Sequence, residues 1–311
     1  MKGRKGMIQL AILVVLGAAV VASMALPQIS AAMTQRQSVQ VSVLIRDSDS
    51  SLWAKTRRGM EQAAGDMGAE LRFLTPGQDN DPAEQEEMLR REVERGTDVM
   101  VVNPVSTQTV DVLWEEIGGD VPLVALESRL EDAGVWALID DETMGDQLAQ
   151  AVSEDYLGGL VLVLDLTSGV QALDDRRQML TQELTKSGIP WQLWSAEGQP
   201  LEEWSIPREV THIVALDPAG TQQMLQVCAD REDILCYGVG AAQPIVTALE
   251  QGRLAAAAVW NEYALGYLAV AQAARLGLGE GQTLIPDAAS QIIRGEDIYE
   301  PEIQKLLFPL G

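Results

Sequence analysis

Short apolar runs alternate with longer, mixed stretches along nearly the whole chain. Val39–Ile45 is one such run, followed by Glu70–Thr75, Val99–Val102, Pro122–Leu126 and Val135–Ile139. Between them lie helix-like segments. One runs through Met60, Ala63, Ala64 and Met67, and another covers Thr107–Ile117. A third is signalled by its punctuation: Asp81 caps, Pro82 suits the first helical position, Glu84 completes a capping box and Gly96 ends it. The pattern then restarts. A helix over Thr143–Tyr156 leads to the strand Gly159–Asp165, then to a helix carrying Asp174, Arg176, Arg177 and Leu180. Trp191–Ser195, His212–Leu216, Leu235–Val239 and Leu254–Val259 are strands, and Glu262–Arg275 is an alanine-rich helix. Regular strand–helix alternation predicts an α/β fold with parallel sheets flanked by helices, built as two Rossmann-like halves.

Polar and aromatic residues collect where these strands end. The first strand runs into Arg46-Asp-Ser-Asp-Ser-Ser51 and then Leu52-Trp53. Others end at Asn103-Pro104, Glu127, Asp217, Gly240 and Trp260-Asn261. In parallel sheets these ends face one way, so two such halves present them to each other across a cleft. Clefts of this kind close on a ligand by hinge motion.

A chain of 311 residues is long for one core, so two lobes suit its size as well as its pattern. Lys plus Arg total 22 against 46 Asp plus Glu, a net charge of −24 that repels phosphate backbones and argues against nucleic acid as a partner. Lys2, Arg4 and Lys5 precede the apolar run Met7–Leu26. At about 1.5 Å per residue that run reaches roughly the hydrocarbon thickness of a bilayer, and its positive flank stays cytoplasmic, so the remainder is exported. It is either an uncleaved anchor, which its length favours, or a signal peptide cut near Ser23-Met24-Ala25 or Ser30-Ala31-Ala32. Export bears on Cys228 and Cys236, which either close a disulfide or form a pair of small buried hydrophobes. The lone histidine, His212, sits in a strand and gives no metal site.

Enzyme chemistry lacks its signatures. Arg46–Ser51 has no glycine, so the dinucleotide fingerprint is missing, and there is no P-loop, nucleophile elbow or His-Glu-x-x-His pair. No cofactor is expected. A repressor would need a basic helix-turn-helix where the apolar run stands.

Several segments in order carry a resemblance. They are the strand-loop-Leu52-Trp53-helix-Gly59, Gly96-Thr-Asp-Val-Met-Val-Val-Asn103-Pro104, Val121-Pro-Leu-Val-Ala-Leu-Glu127, Arg176 four before Leu180, Tyr237-Gly-Val-Gly240, Ala248–Ala256 and Asn261-Glu-Tyr-Ala-Leu-Gly266-Tyr. Over about residues 39–295 the chain resembles the type I periplasmic (extracytoplasmic) sugar-binding proteins, the group that includes ribose- and galactose-binding proteins. The resemblance implies crossovers near Asp140-Asp141, Asn261 and Pro286. An anchor or signal segment and spacer would occupy 1–38, an N-terminal lobe 39–141 and 262–286, and a C-terminal lobe 142–261 and 287–311. It also implies a ligand site of Ser50, Trp53, Asn103, Glu127, Arg176, Asp217 and Trp260, with Gly240 beside it.

Each of these residues has a plainer alternative. Trp53 stacks on a sugar face or anchors a helix start. Asn103 binds ligand or caps a turn. Glu127 and Asp217 accept from adjacent hydroxyls or are solvated loop carboxylates. Arg176 clamps ligand or makes a salt bridge with Asp174 or Asp175. Trp260 faces Trp53 or packs the hinge. The chain departs from the family at Leu52, Glu127-Ser128, Gly240 and Trp260, where a second aromatic, Asp-Arg, aspartate and glutamine are usual. The expected function is therefore an extracytoplasmic solute-binding protein, not an enzyme, closing on a small polar, sugar-like ligand. Its partner is a membrane permease for ABC-type uptake or a sensor histidine kinase.

Overall fold

The computed structural model describes residues 38–131, 133–166, 169–195 and 205–309. The apolar run 7–26 and the spacer up to residue 37 lie outside them. Among the described residues no helix is long and apolar enough to cross a membrane.

In chain order the elements are β1 (Gln40–Leu44), α1 (Ala54–Met67), β2 (Glu70–Leu74), α2 (Pro82–Glu94), β3 (Val99–Val102), α3 (Thr107–Ile117), β4 (Leu123–Glu127) and β5 (Val135–Leu138). Then follow α4 (Asp141–Asp155), β6 (Leu160–Asp165), α5 (Gln171–Lys186), β7 (Trp191–Ser195), β8 (Val210–Ala215), α6 (Pro218–Val227), β9 (Leu235–Val239), α7 (Gln243–Glu250) and β10 (Ala256–Trp260). The chain closes with α8 (Glu262–Gly277), β11 (Ser290–Ile293) and α9 (Pro301–Leu307).

The strands form two sheets. The first has the order β2-β1-β3-β4-β5 and is parallel throughout. The second has the order β11-β10-β9-β8-β6-β7 and is parallel except at β11, which pairs antiparallel with β10 on the edge. Strands β3 and β10 are buried along their whole length, as expected for strands covered by helices on both faces.

The chain passes between the sheets at two helix starts. Asp140 follows β5 of the first sheet and caps α4, which packs against α5, β10 and β11. Asn261 follows β10 of the second sheet and caps α8, which packs against α1, β1, β3, β4 and β5. The return segment pairs beside the first crossing, where Asp140 N–H donates to Ala288 C=O at 3.1 Å. Helices α1 and α8 lie almost backbone to backbone. A Cβ on Gly59 would stand 2.0 Å from the Tyr263 carbonyl oxygen, and one on Gly266 2.1 Å from that of Thr56. Only glycine permits this approach, which draws α8 onto the first sheet.

The α2 start differs from its expected form. The Asp81 side chain does cap, accepting from the N–H groups of Ala83 and Glu84. Glu84 makes no capping box; it turns to the preceding loop and accepts from Gly77 N–H at 2.8 Å and Gln78 N–H at 3.1 Å.

Candidate functional site

The C-terminal ends of β1, β3 and β4 face those of β8 and β10 across a closed cleft. Its cavity has a volume of about 30 Å³, room for one or two waters. The first sheet contributes Trp53, Asn103 and Glu127 to its lining; the second contributes Arg176, Asp217 and Trp260. Six of the seven candidate residues are thus brought together. Ser50 is not among the lining residues and is exposed in its loop. Gly240 is not among them either; its φ of +98° and a Pro218 carbon 2.8 Å from a would-be Cβ account for the glycine.

Several of these side chains also hold the fold. Trp53 packs against Phe73 with ring centroids 5.5 Å apart and lies under Arg57. Asp217 caps α6, its Oδ1 accepting from Gly220 N–H at 2.6 Å. Asn103 donates through Nδ2 to Glu127 Oε2 at 3.1 Å, and its carbonyl accepts from Gln85. Arg176 is fully engaged, though not with Asp174 or Asp175. It donates to Asp141 Oδ1 from Nε (3.1 Å) and Nη2 (2.5 Å), and from Nη1 to the Leu216 carbonyl. Asp174 instead pairs with Arg177, which also meets Asp165. Even beside Arg176, burial pushes the Asp141 carboxyl up to about 6.

The central residue of the cleft is one the sequence did not single out. Arg46, 4 % exposed, lies across it from the end of β1. Its Nη1 donates to Asn80 Oδ1 at 3.1 Å. Its Nη2 stands 3.8 Å from Glu127 Oε2, and its Nη1 3.9 Å from Asp217 Oδ2 on the facing sheet. Burial opposes its charge, but Asp47, Glu127 and Asp217 together hold its pKa above the usual guanidinium value. Asn80 (φ +55°) and Glu127 (φ +65°) are the non-glycine residues with left-handed backbone among the described ones, and both meet Arg46. Such backbone costs on the order of 1–3 kcal/mol and collects at functional sites.

Two more acids share the lining. Burial pushes Asp47 up to about 6, with Asp217 and Glu127 adding repulsion against the pull of Arg46. Burial pushes Glu262 up to about 7, opposed by Lys55 and the Ala241 N–H. Lys55 and Glu262 bracket Ala241: Lys55 donates to its carbonyl and Glu262 accepts from its N–H at 3.0 Å. The loop after β9 is thereby tied to the starts of α1 and α8.

Cys228 and Cys236 are buried and unbridged, and neither lines the cleft; a hydrogen bond between the thiols raises the Cys236 pKa. His212 is also buried, its Nδ1 2.7 Å from Thr211 Oγ1 and its ring beside Tyr156 and Tyr237. Among the described residues no group of His, Cys, Asp and Glu is placed to hold a metal ion.

Residues 41–281 match the family model described as periplasmic binding protein domain. No curated protein matches the chain. Among solved structures it is similar to a carbohydrate transporter solute-binding protein from Agrobacterium radiobacter in complex with D-arabinose. That match has a TM-score of 0.77 and 18% identity, over 88% of this chain and 100% of the other. An ABC transporter solute-binding protein from Agrobacterium vitis with bound D-fucose aligns at TM-score 0.76 and 19% identity, over 86% and 100%. One from Bacillus halodurans with bound myo-inositol aligns at 0.72 and 17%, over 88% and 100%. At these identities the likeness is one of fold.

Proposed function

Because the chain belongs to the periplasmic binding protein domain family, we propose that it is an extracytoplasmic solute-binding protein that takes a small, sugar-like molecule between its two sheets. The observation that carries this reading is the gathering of Asn103, Glu127, Asp217 and Arg46 between Trp53 and Trp260 at the strand ends. Carboxylate, amide and guanidinium groups match the hydroxyls of a polyol, and indole faces match its C–H surface. The relatives crystallised with arabinose, fucose and myo-inositol support the same class.

A cavity of about 30 Å³ is an order of magnitude below ordinary ligand pockets. Entry therefore requires the lobes to part, which separates Arg46 from Asp217 and Lys55 from Ala241. Closure on the ligand then depends on how much more tightly it binds the closed form. The lobes are 39–141 with 262–286, and 142–261 with 287–311. The site is lined by Trp53, Asn103, Glu127, Arg176, Asp217 and Trp260, with Arg46 added; Arg176 positions α5 against Asp141 rather than reaching the ligand. The closed form would present to a membrane permease, with the apolar run 7–26 as anchor or signal segment.

Calorimetry and thermal-shift assays against D-arabinose, D-fucose, D-tagatose and myo-inositol test the reading. Saturable binding that raises the melting temperature is expected, since a ligand at a hundred times Kd adds about 2.7 kcal/mol. The absence of binding by every member and by their sugar-acid counterparts at millimolar concentration would overturn it.

A further inference from the structure

The polar atoms left over in the cleft are unevenly divided between donors and acceptors. Among the described residues, the lining side chains hold four buried polar atoms without a hydrogen-bond partner: Arg46 Nε, Trp53 Nε1, Trp260 Nε1 and Asn103 Oδ1. Three are donors and one is an acceptor. A hydroxyl both gives and accepts, whereas a carboxylate only accepts. The guest that completes this set carries more acceptors than a simple sugar does.

Arg46 supplies the one charged donor of the three, and the two indoles supply the others. A guanidinium has five N–H donors in a planar fork. Of its contacts here, the one to Asn80 at 3.1 Å lies within hydrogen-bonding distance. The two carboxylates at 3.8 and 3.9 Å lie beyond it. The Glu127 oxygen that faces Arg46 already accepts from Asn103, while Asp217 accepts from Gly220 N–H through Oδ1 and turns Oδ2 toward the guanidinium. Arg176 in the same cleft has every nitrogen engaged, so of the two guanidinium groups there the open one is Arg46. The fork is held from the first sheet by two residues kept in left-handed backbone, Asn80 and Glu127. Buried donors without acceptors are costly, so this arrangement favours whatever supplies the acceptors.

Resting on the solute-binding reading above, we propose that the ligand is a sugar acid. Its carboxylate would sit on the Arg46 fork, and its hydroxyls would meet Asn103, Glu127 and Asp217. Burial raises Asp47 to about 6 and Glu262 to about 7, so an anion meets fewer negative charges in the cleft below about pH 6 than at neutral pH. The net charge of −24 acts from the surface and is screened beyond about 8–10 Å at physiological salt.

The test compares matched pairs on the full chain by calorimetry at about pH 5.5, where Asp47 and Glu262 are mostly protonated and a sugar acid is ionised: D-galacturonate against D-galactose, and D-arabinonate against D-arabinose. In each pair that binds, the acid is expected to bind about tenfold more tightly or better, the effect of one charge-assisted bidentate pair. Arg46→Gln should bring the acid-to-neutral ratio to about one. Arg46→Lys, which keeps the charge without the fork, should lower it and serves if the glutamine variant does not fold. A neutral sugar binding as tightly as its acid, or a ratio unchanged in both variants, would overturn the assignment while leaving the solute-binding reading intact. If neither pairs nor polyols bind at all, both fall.

Discussion

Replacing Asp217 by asparagine and, separately, by alanine divides two roles of one carboxylate. Its Oδ1 caps α6 through the Gly220 N–H at 2.6 Å, while Oδ2 faces Arg46 Nη1 at 3.9 Å across the cleft. Asparagine is a good N-cap and alanine is not, and the exchange is worth about 1 kcal/mol, within 0.5–2. Both variants remove the charge beside Arg46, a loss they share, so the difference between them reports the cap. For a body of this size about 1 kcal/mol corresponds to roughly 2–4 °C in melting temperature. Without ligand, Asp217→Ala should therefore melt roughly 2–4 °C below Asp217→Asn. With a bound sugar or sugar acid at a hundred times Kd, the wild type should gain about 2.7 kcal/mol, roughly 5–10 °C. Both variants should lose most of that gain, because each removes the carboxylate acceptor that faces the cleft. Differential scanning fluorimetry with and without ligand measures all of these quantities. Equal melting of the two variants would refute the cap, and a full ligand shift in Asp217→Asn would remove the residue from the site.

Two further predictions concern the frame of the cleft. Gly266→Ala places a Cβ 2.1 Å from the Thr56 carbonyl oxygen, so α1 and α8 must separate. A loss of about 1–3 kcal/mol or more is expected in urea unfolding, and a change below about 0.5 kcal/mol would refute the close packing. Stability should also rise on mild acidification. Burial raises Asp47 and Asp141 to about 6 and Glu262 to about 7, so the folded chain holds more protons than the unfolded one from about pH 4 upward. That stabilisation is complete below the unfolded carboxylate range and is lost as pH rises through about 6 and about 7. His212, its pKa lowered by burial, opposes the trend as pH falls, but it is one group against three. The urea midpoint should be higher at about pH 5.5 than at about pH 8, and an equal or reversed order would refute the assignment.

The sequence by itself determined the elements and the residues at their ends. Alternating apolar runs and a capping residue such as Asp81 are local signals, readable because strand burial and helix capping act over a few residues; the caps made by Asp217 and Asn261 were seen only in the structure. That locality also explains why Asn103, Glu127, Asp217 and Trp260 stand out along the chain: each sits at or just after the end of a strand, whereas Trp53, at the start of α1, rested on the family resemblance. Pairings between distant segments were decided only by tertiary structure. Arg46 looked like one residue of a polar loop; the approach of the two sheets buries it and sets Asp217 3.9 Å away. Arg176 finds Asp141, 35 positions earlier, instead of its acidic neighbours, because α4 and α5 pack together. Glu262 rises to about 7 because the fold buries it in the cleft, against the pull of Lys55 and the Ala241 N–H. A charge's partner and its hydration depend on what the fold brings beside it, so they could not be read along the chain.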